Sequence, residues 1–88
     1  MQKTLKSADY ARLIGLLVAA REKAGIRQHT LAESLDVPQS FIAKYEGGDR
    51  RLDVIEFIAI AKALGADPLK LLRDFLAGKP LTPPRKRG

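Results

Sequence analysis

Two short patterns of helical spacing near the middle of the chain, Gln28–Leu35 and Pro38–Tyr45, constrain the fold more than any other feature. Only Asp36 and Val37 separate them. Two helices joined so tightly must cross at a steep angle, and the crossing point accepts only a small side chain. Ala32 meets that requirement. The apolar positions of this stretch are Leu31, Leu35, Val37 and Ile42.

The composition favours one small helical domain. A chain of 88 residues buries only about two-thirds of its unfolded surface. With 45% apolar residues it can still fill a single core, in which Leu, Ala and Ile dominate. No run alternates in the manner of a strand, so we expect an all-α fold. Cysteine is absent, which excludes disulfides and thiolate metal sites.

Three further helices are expected around the central pair. The first carries apolar residues three or four apart and ends at Gly25, which adopts a left-handed conformation without strain. Asp53 and Asp67 are expected to cap the fourth and fifth helices, the latter opening with Pro68. The expected core stripe of the fourth helix is Val54, Phe57, Ile58, Ala61 and Leu64, with Ile60 to one side. The expected stripe of the fifth is Leu69, Leu72, Phe75 and Leu76, with Leu71 beside it.

The two ends of the chain differ from its middle. Residues 1–6 are expected to form a flexible leader, and residues 79–88, with three prolines and four basic residues, a disordered basic tail. The folded domain is predicted to be residues 7–78. The net charge of +6 (16 basic minus 10 acidic residues) favours a polyanionic partner. The alternative is a solvated domain that carries a basic tail.

One apolar run, Leu13–Ala20, has the length of a signal-peptide core but is far too short to span a membrane. Cleavage after it would remove the first helix. We therefore expect a cytoplasmic protein with no membrane partner.

The chain offers little for catalysis. His29 is the only histidine, so neither a Cys–His pair nor a metal site with more than one nitrogen or sulfur ligand can form. Gly47-Gly48 lacks the spacing of a phosphate-binding loop. Asp49 and Asp53 are read most simply as a loop residue and a helix cap. We expect no enzyme activity, no metal and no cofactor.

Five segments stand in a common register: Arg21, Gln28-x-x-Leu31-Ala32, Ile42-x-x-x-Glu46-x-Gly48, Arg50, and Asp53…Ala61-x-x-Leu64-Gly65-x-Asp67. Together they resemble the phage-repressor family, the Cro/C1-type or XRE-like helix-turn-helix domains. The resemblance covers most of the expected domain. It implies a five-helix, repressor-like domain whose second and third helices form the helix-turn-helix. It also implies sequence-specific binding of double-stranded DNA by a small transcriptional regulator, which we expect to be a repressor.

The resemblance implies roles for single residues as well. Gln39, Ser40 and Lys44 fall at base-reading positions of the recognition helix, and their polar groups suit base edges in the major groove. Arg21 and Glu46 match a structural salt bridge that aligns this helix. Positions that contact the DNA backbone in the family are occupied by Gln28, Phe41, Arg50 and Arg51.

The resemblance leaves the roles of several residues undecided. Phe41 could touch a thymine methyl or a sugar, or it could only pack. Arg27 and His29 are additional candidates for contacts to DNA. Two residues depart from the family pattern: Asp36 replaces the usual glycine of the turn, and Pro38 replaces the usual hydroxyl cap.

The expected partners follow from the limited reach of one recognition helix. Three base-reading side chains specify only a few base pairs, so we expect a symmetric homodimer on a roughly palindromic site. The fifth helix is the expected contact, through Leu69, Leu72, Phe75 and Leu76; the alternative is that these residues only cover the other helices. The alternative function is an antitoxin or other interaction module that binds a toxin or another protein.

Overall fold

Five helices make up residues 7–78, the part of the chain that the computed structural model describes. Their bounds are α1 (Ser7–Lys23), α2 (Gln28–Leu35), α3 (Gln39–Glu46), α4 (Val54–Ala63) and α5 (Pro68–Gly78). No strand occurs in this range, and none of the five helices is long and apolar enough to cross a membrane. The all-α, five-helix prediction is confirmed. The expected leader and basic tail lie outside the described residues.

The core lies between the helix-turn-helix and the helices on either side of it. α2 packs on α3 and α4, while α1 packs on α3 and α5. Leu31, Ala32 and Ile42 are buried as predicted, and Leu35 and Val37 pack against the core while partly buried. The largest fully buried side chains are Tyr45, Leu17, Leu31, Ile42 and Ile60.

Three predicted helix ends are formed by the expected residues, Gly25, Asp53 and Asp67. Gly25 is left-handed, with φ of 72°. The Asp67 carboxylate accepts a hydrogen bond from the Leu69 N–H at 2.9 Å. Asp53 caps α4 by accepting from the Glu56 N–H at 2.7 Å, and Glu56 returns the bond by accepting from the Asp53 N–H at 2.9 Å. This reciprocal capping box makes the start of α4 rigid.

The predicted core stripe of α4 was wrong at two positions. Val54 is 69% exposed, whereas Ile60 is only 1% exposed. Val54 is the first residue of the helix, directly after the cap, and its side chain lies beyond the edge of the core. The buried face runs instead through Phe57, Ile60, Ala61 and Leu64, at the spacing of three and four that one face of a helix requires.

The predicted stripe of α5 was also wrong in part. Leu71 and Phe75 are buried, while Leu69, Leu72 and Leu76 are exposed. The leucines and Phe75 form one broad arc around the helix, and the sequence pattern alone does not say which part of it meets the core. Contact with α1 decides in favour of Leu71 and Phe75: the guanidinium of Arg12 lies 4.3 Å from the Phe75 ring centroid.

Candidate nucleic-acid interface

The turn between α2 and α3 is closed by Asp36, which adopts the left-handed conformation with φ of 57° and ψ of 47°. The N–H groups of Asp36 and Val37 donate to the carbonyls of Glu33 and Ala32, at 3.2 and 3.0 Å. Aspartate tolerates this conformation better than most residues that bear a side chain. The turn therefore forms without the glycine that the family pattern has at this position.

α3 begins one residue later than predicted, at Gln39 instead of Pro38, and ends at Glu46. The φ of Pro38 suits a helix, but its ψ of 152° is extended, so the proline precedes the helix as its N-cap. A proline side chain cannot accept a hydrogen bond, and no side chain caps the first turn. The two residues that follow, Gln39 and Ser40, stand at the exposed N-terminal end of the helix.

α3 has one buried and one exposed face. Ile42 and Tyr45 are fully buried and fix the helix on the core. Gln39, Ser40 and Lys44 are all exposed. The structure therefore brings the three predicted base-reading side chains together on the solvent side of a single short helix.

A chain of polar contacts joins the start of α3 to the interior. Arg21 donates to both carboxylate oxygens of Glu46, from Nε at 2.7 Å and from Nη2 at 3.1 Å, and both side chains are largely buried. Gln28 Nε2 donates to Glu46 Oε1 at 2.8 Å, and Gln39 Nε2 lies 3.4 Å from Gln28 Oε1. We call these four residues, Arg21, Glu46, Gln28 and Gln39, the polar relay.

The polar relay is tight at its buried end and loose at its exposed end. Hydrogen bonding to Glu46 raises the pKa of Arg21, so the guanidinium stays charged at neutral pH. Arg21 Nη1 also donates to the Ile26 carbonyl at 2.8 Å, which ties α1 to the start of the helix-turn-helix. The contact of 3.4 Å between Gln39 and Gln28 is longer than a strong hydrogen bond. Gln39 can therefore exchange this partner for another at little cost.

Arg50 and Arg51, in the segment between α3 and α4, stand over aromatic rings. The Arg50 guanidinium lies 4.4 Å from the ring centroid of Phe41, and that of Arg51 lies 4.6 Å from the ring centroid of Tyr10. Phe41 is partly buried, with its ring at an edge-on angle to Tyr45. The further candidates Arg27 and His29 are both exposed.

Sequence reasoning missed two residues that organise this segment. The Tyr10 hydroxyl donates to the Arg50 carbonyl at 2.9 Å and accepts from the Leu52 N–H at 3.0 Å, which fastens the segment to α1. Nothing in the sequence marks Tyr10 for this role. Glu56 binds Arg50 with both carboxylate oxygens. Its position three residues after the cap Asp53 is a capping-box signal that could have identified it.

Comparison with known proteins finds the same motif over the same part of the chain. Residues 17–71 match the model of a helix-turn-helix family. An XRE-family like protein from Pseudomonas syringae pv. tomato str. DC3000 is 47% identical, with a TM-score of 0.83 over 89% of this chain and 95% of that one. The restriction-modification controller protein C.AhdI from Aeromonas hydrophila is 28% identical, with a TM-score of 0.66 over 73% of this chain and 97% of that one. No curated protein gives a significant match.

The family match spans more than half of the chain, and it includes the turn, the recognition helix and the buried face of α4. The solved XRE-family relative aligns over nearly the whole length at high identity. Both agree with the resemblance drawn from the sequence. The chain belongs to the XRE-type helix-turn-helix family of DNA-binding transcription regulators.

Proposed function

We propose that this protein reads a specific duplex sequence by placing α3 in the major groove. The observation that carries the proposal is the exposure of Gln39, Ser40 and Lys44 on one helix whose opposite face is locked in the core. A helix held in this way can present three polar side chains to base edges as one rigid unit.

The chemistry of the three side chains suits base recognition. The Gln39 amide can pair with adenine, Lys44 can reach the O6 and N7 acceptors of guanine, and Ser40 can donate or accept. The loose contact of 3.4 Å with Gln28 supports the proposal for Gln39, because its exposed amide can leave that partner and pair with a base when DNA arrives.

Contacts to the DNA backbone are proposed for Gln28 and Arg51. Gln28 is the first residue of α2, where the helix N-terminus favours a phosphate. The net charge of +6 adds a sequence-independent attraction. For Phe41 the contacts with Arg50 and Tyr45 favour the packing role over a contact with thymine.

We further propose that the protein acts in the cytoplasm as a repressor, by occupying a site that the transcription machinery needs. The likeness to a restriction-modification controller protein supports a regulatory role. We also propose a homodimer formed through α5. Leu69, Leu72 and Leu76 are exposed on that helix, and water-exposed leucines in a group are typical of a protein contact.

The test of base reading is a selection of bound duplexes from a random pool, followed by measurement of variants on the selected site and on random duplex. Gln39→Ala and Lys44→Ala should each lose about 1–3 kcal/mol of binding on the selected site and much less on random duplex. Lys62→Ala is the matched control, because Lys62 is also an exposed lysine but lies on α4. It should change both affinities little.

Equal losses on both duplexes would mean that Gln39 and Lys44 do not read sequence. Failure to enrich any duplex, together with stoichiometric retention of a protein partner, would favour the interaction module over the regulator. A reporter assay with the selected site in a promoter then separates repression from activation.

A further inference from the structure

Arg50 is held from α4 by a two-pronged ion pair. Its Nη1 donates to Glu56 Oε1 at 3.0 Å and its Nη2 donates to Glu56 Oε2 at 2.9 Å, while Nη1 also donates to the Arg51 carbonyl at 2.9 Å. The Glu56 side chain is itself held in place, because its carboxylate accepts a hydrogen bond from the Asp53 N–H in the capping box. The plane of the guanidinium is therefore set by the start of α4.

That guanidinium lies over the ring of Phe41, the third residue of α3. The Arg50 carbon Cζ is 4.4 Å from the ring centroid, a distance at which a cation attracts an aromatic face. Phe41 is in turn linked to the core, because its ring makes an edge-on contact with the fully buried Tyr45. The two ring centroids are 6.0 Å apart, and the ring planes meet at 68°. Phe41 also follows Ser40 directly, so its placement bears on a base-reading residue.

This contact joins two helices whose backbones make few close approaches, although both contribute buried side chains to the core. α3 packs on α2 and α1, whereas close backbone approaches between α3 and α4 are scarce. The Arg50 side chain adds a link between them, because its guanidinium is bonded to Glu56 near the start of α4 and lies over the Phe41 ring of α3. Its charge is also balanced locally by Glu56, and this hydrogen bonding raises the pKa of Arg50 and lowers that of Glu56, so both stay ionised at neutral pH. Because Glu56 balances the charge of Arg50, the pair adds little to the electrostatic attraction of DNA phosphates.

We infer that Arg50 is a positioning residue that braces the recognition helix through Phe41, rather than a ligand of the DNA backbone as its sequence position implies. The inference rests on the proposed function of α3 as the reading helix. Lysine cannot replace arginine here, because an ammonium has neither the planar fork that fits a carboxylate nor the flat face that stacks on a ring.

The experiment compares Arg50→Lys, Arg50→Ala and Phe41→Leu with Arg73→Lys, an exposed arginine of α5, as the control. Affinities for the selected and the random duplex are measured across a range of salt, and amide NMR spectra are recorded on the free proteins. Thermal melts confirm that each variant is folded. Arg50→Lys and Phe41→Leu should both bind the selected site about tenfold more weakly, a loss similar to that of one base contact. Both should shift the α3 amide signals of Ser40 and Lys44 in the free protein, and neither should change the slope of affinity against salt.

A phosphate ligand gives the opposite result. Arg50→Lys would then bind both duplexes like the unmodified protein, while Arg50→Ala would weaken both and reduce the salt slope by about 0.9, the change for one phosphate contact. Unchanged α3 amide signals in Arg50→Lys and Phe41→Leu would also overturn the brace. The free-protein spectra report on the brace even if the chain proves to have no sequence preference, so the two proposals fail separately.

Discussion

Tyr45 buries a hydroxyl group that has no hydrogen-bond partner among the described residues. Its ring is fully buried beside Phe41 and is part of the support for α3. A hydroxyl taken out of water without a new partner costs about 1–3 kcal/mol. The burial of the ring outweighs this cost in the folded protein, but the hydroxyl itself contributes nothing favourable.

Tyr45→Phe is therefore expected to raise the free energy of unfolding, by about 1 kcal/mol at neutral pH, because it removes the unpaired hydroxyl and keeps the ring. Tyr10→Phe is the matched control: its hydroxyl bonds the Arg50 carbonyl and the Leu52 N–H, so its loss should lower the stability. Urea denaturation measures both. A loss of stability in Tyr45→Phe as large as that in Tyr10→Phe would show that the Tyr45 hydroxyl has a partner in solution.

The same variant has a distinct pH dependence. Burial raises the pKa of Tyr45 above its ordinary value of 10.0. Above pH 10 the tyrosine ionises in the unfolded chain while the folded protein keeps it neutral, so the stability of the unmodified protein falls as pH rises in that range. Tyr45→Phe lacks this contribution, and its advantage should widen above pH 10.

At the scale of elements, one side chain of α1 adds to the attachment that the buried Leu71 and Phe75 give α5. Arg12 stacks on Phe75 at 4.3 Å, and its Nη1 donates to the Phe75 carbonyl at 3.2 Å. Asp9, one turn earlier, lies 3.3 Å from Arg12 Nη2 and holds the guanidinium in place. This joint orients the helix that carries the exposed leucines.

Arg12→Ala is expected to loosen α5 and to leave α2 and α3 intact. The loss of the stack and of the charged hydrogen bond should lower the stability by about 1–2 kcal/mol. Hydrogen exchange locates the effect: α5 amides should exchange faster, while those of α2 and α3 should change less. Arg73→Ala on α5 is the control. Faster exchange spread evenly over all five helices would contradict a local joint.

At the scale of the whole molecule, large apolar side chains within residues 7–78 are exposed on two helices. Leu69, Leu72 and Leu76 lie exposed on α5, and Val54 and Ile55 lie exposed at the start of α4. Either set of exposed side chains is apolar enough to contact a second copy of the protein. The homodimer proposal assigns that role to α5, whereas Leu71 and Phe75, also named in the sequence prediction, serve the protein's own core.

Leu69→Glu is expected to convert the dimer to a monomer, because a two-fold interface would place the added charge twice in one apolar contact. Ile55→Glu is the matched control, as Ile55 is 73% exposed and Leu69 is 66% exposed, and it should remain a dimer. Sedimentation at micromolar concentration, with and without DNA, distinguishes the two. Dissociation of Ile55→Glu alone would place the interface on α4, and a monomer in the unmodified protein would refute the dimer.

What the sequence alone determined is local. The helix periods, the caps at Asp53 and Asp67, the turn at Gly25 and the tolerance of Asp36 for a left-handed turn depend on residues within one turn of each other. The resemblance to the family also predicted the pair Arg21 and Glu46, whose Nε and Oε2 atoms lie 2.7 Å apart in the structure. Such features are visible in a sequence because their physical causes lie within a few residues or within a fixed motif spacing.

What only the tertiary structure decided depends on how the helices meet. The large apolar residues of α5 form one broad arc, and the contacts of the helix with α1 and α4 select the edge with Leu71 and Phe75. Val54 lies beyond the edge of the core and Ile60 lies in its centre, because the docking of α4 sets the rotation of that helix. The sequence placed Arg50 at a position that contacts the DNA backbone in the family, yet Glu56 and Phe41 hold it from two different helices. Side-chain partners of this kind are chosen by the packing of whole helices, which local propensity and spacing do not encode.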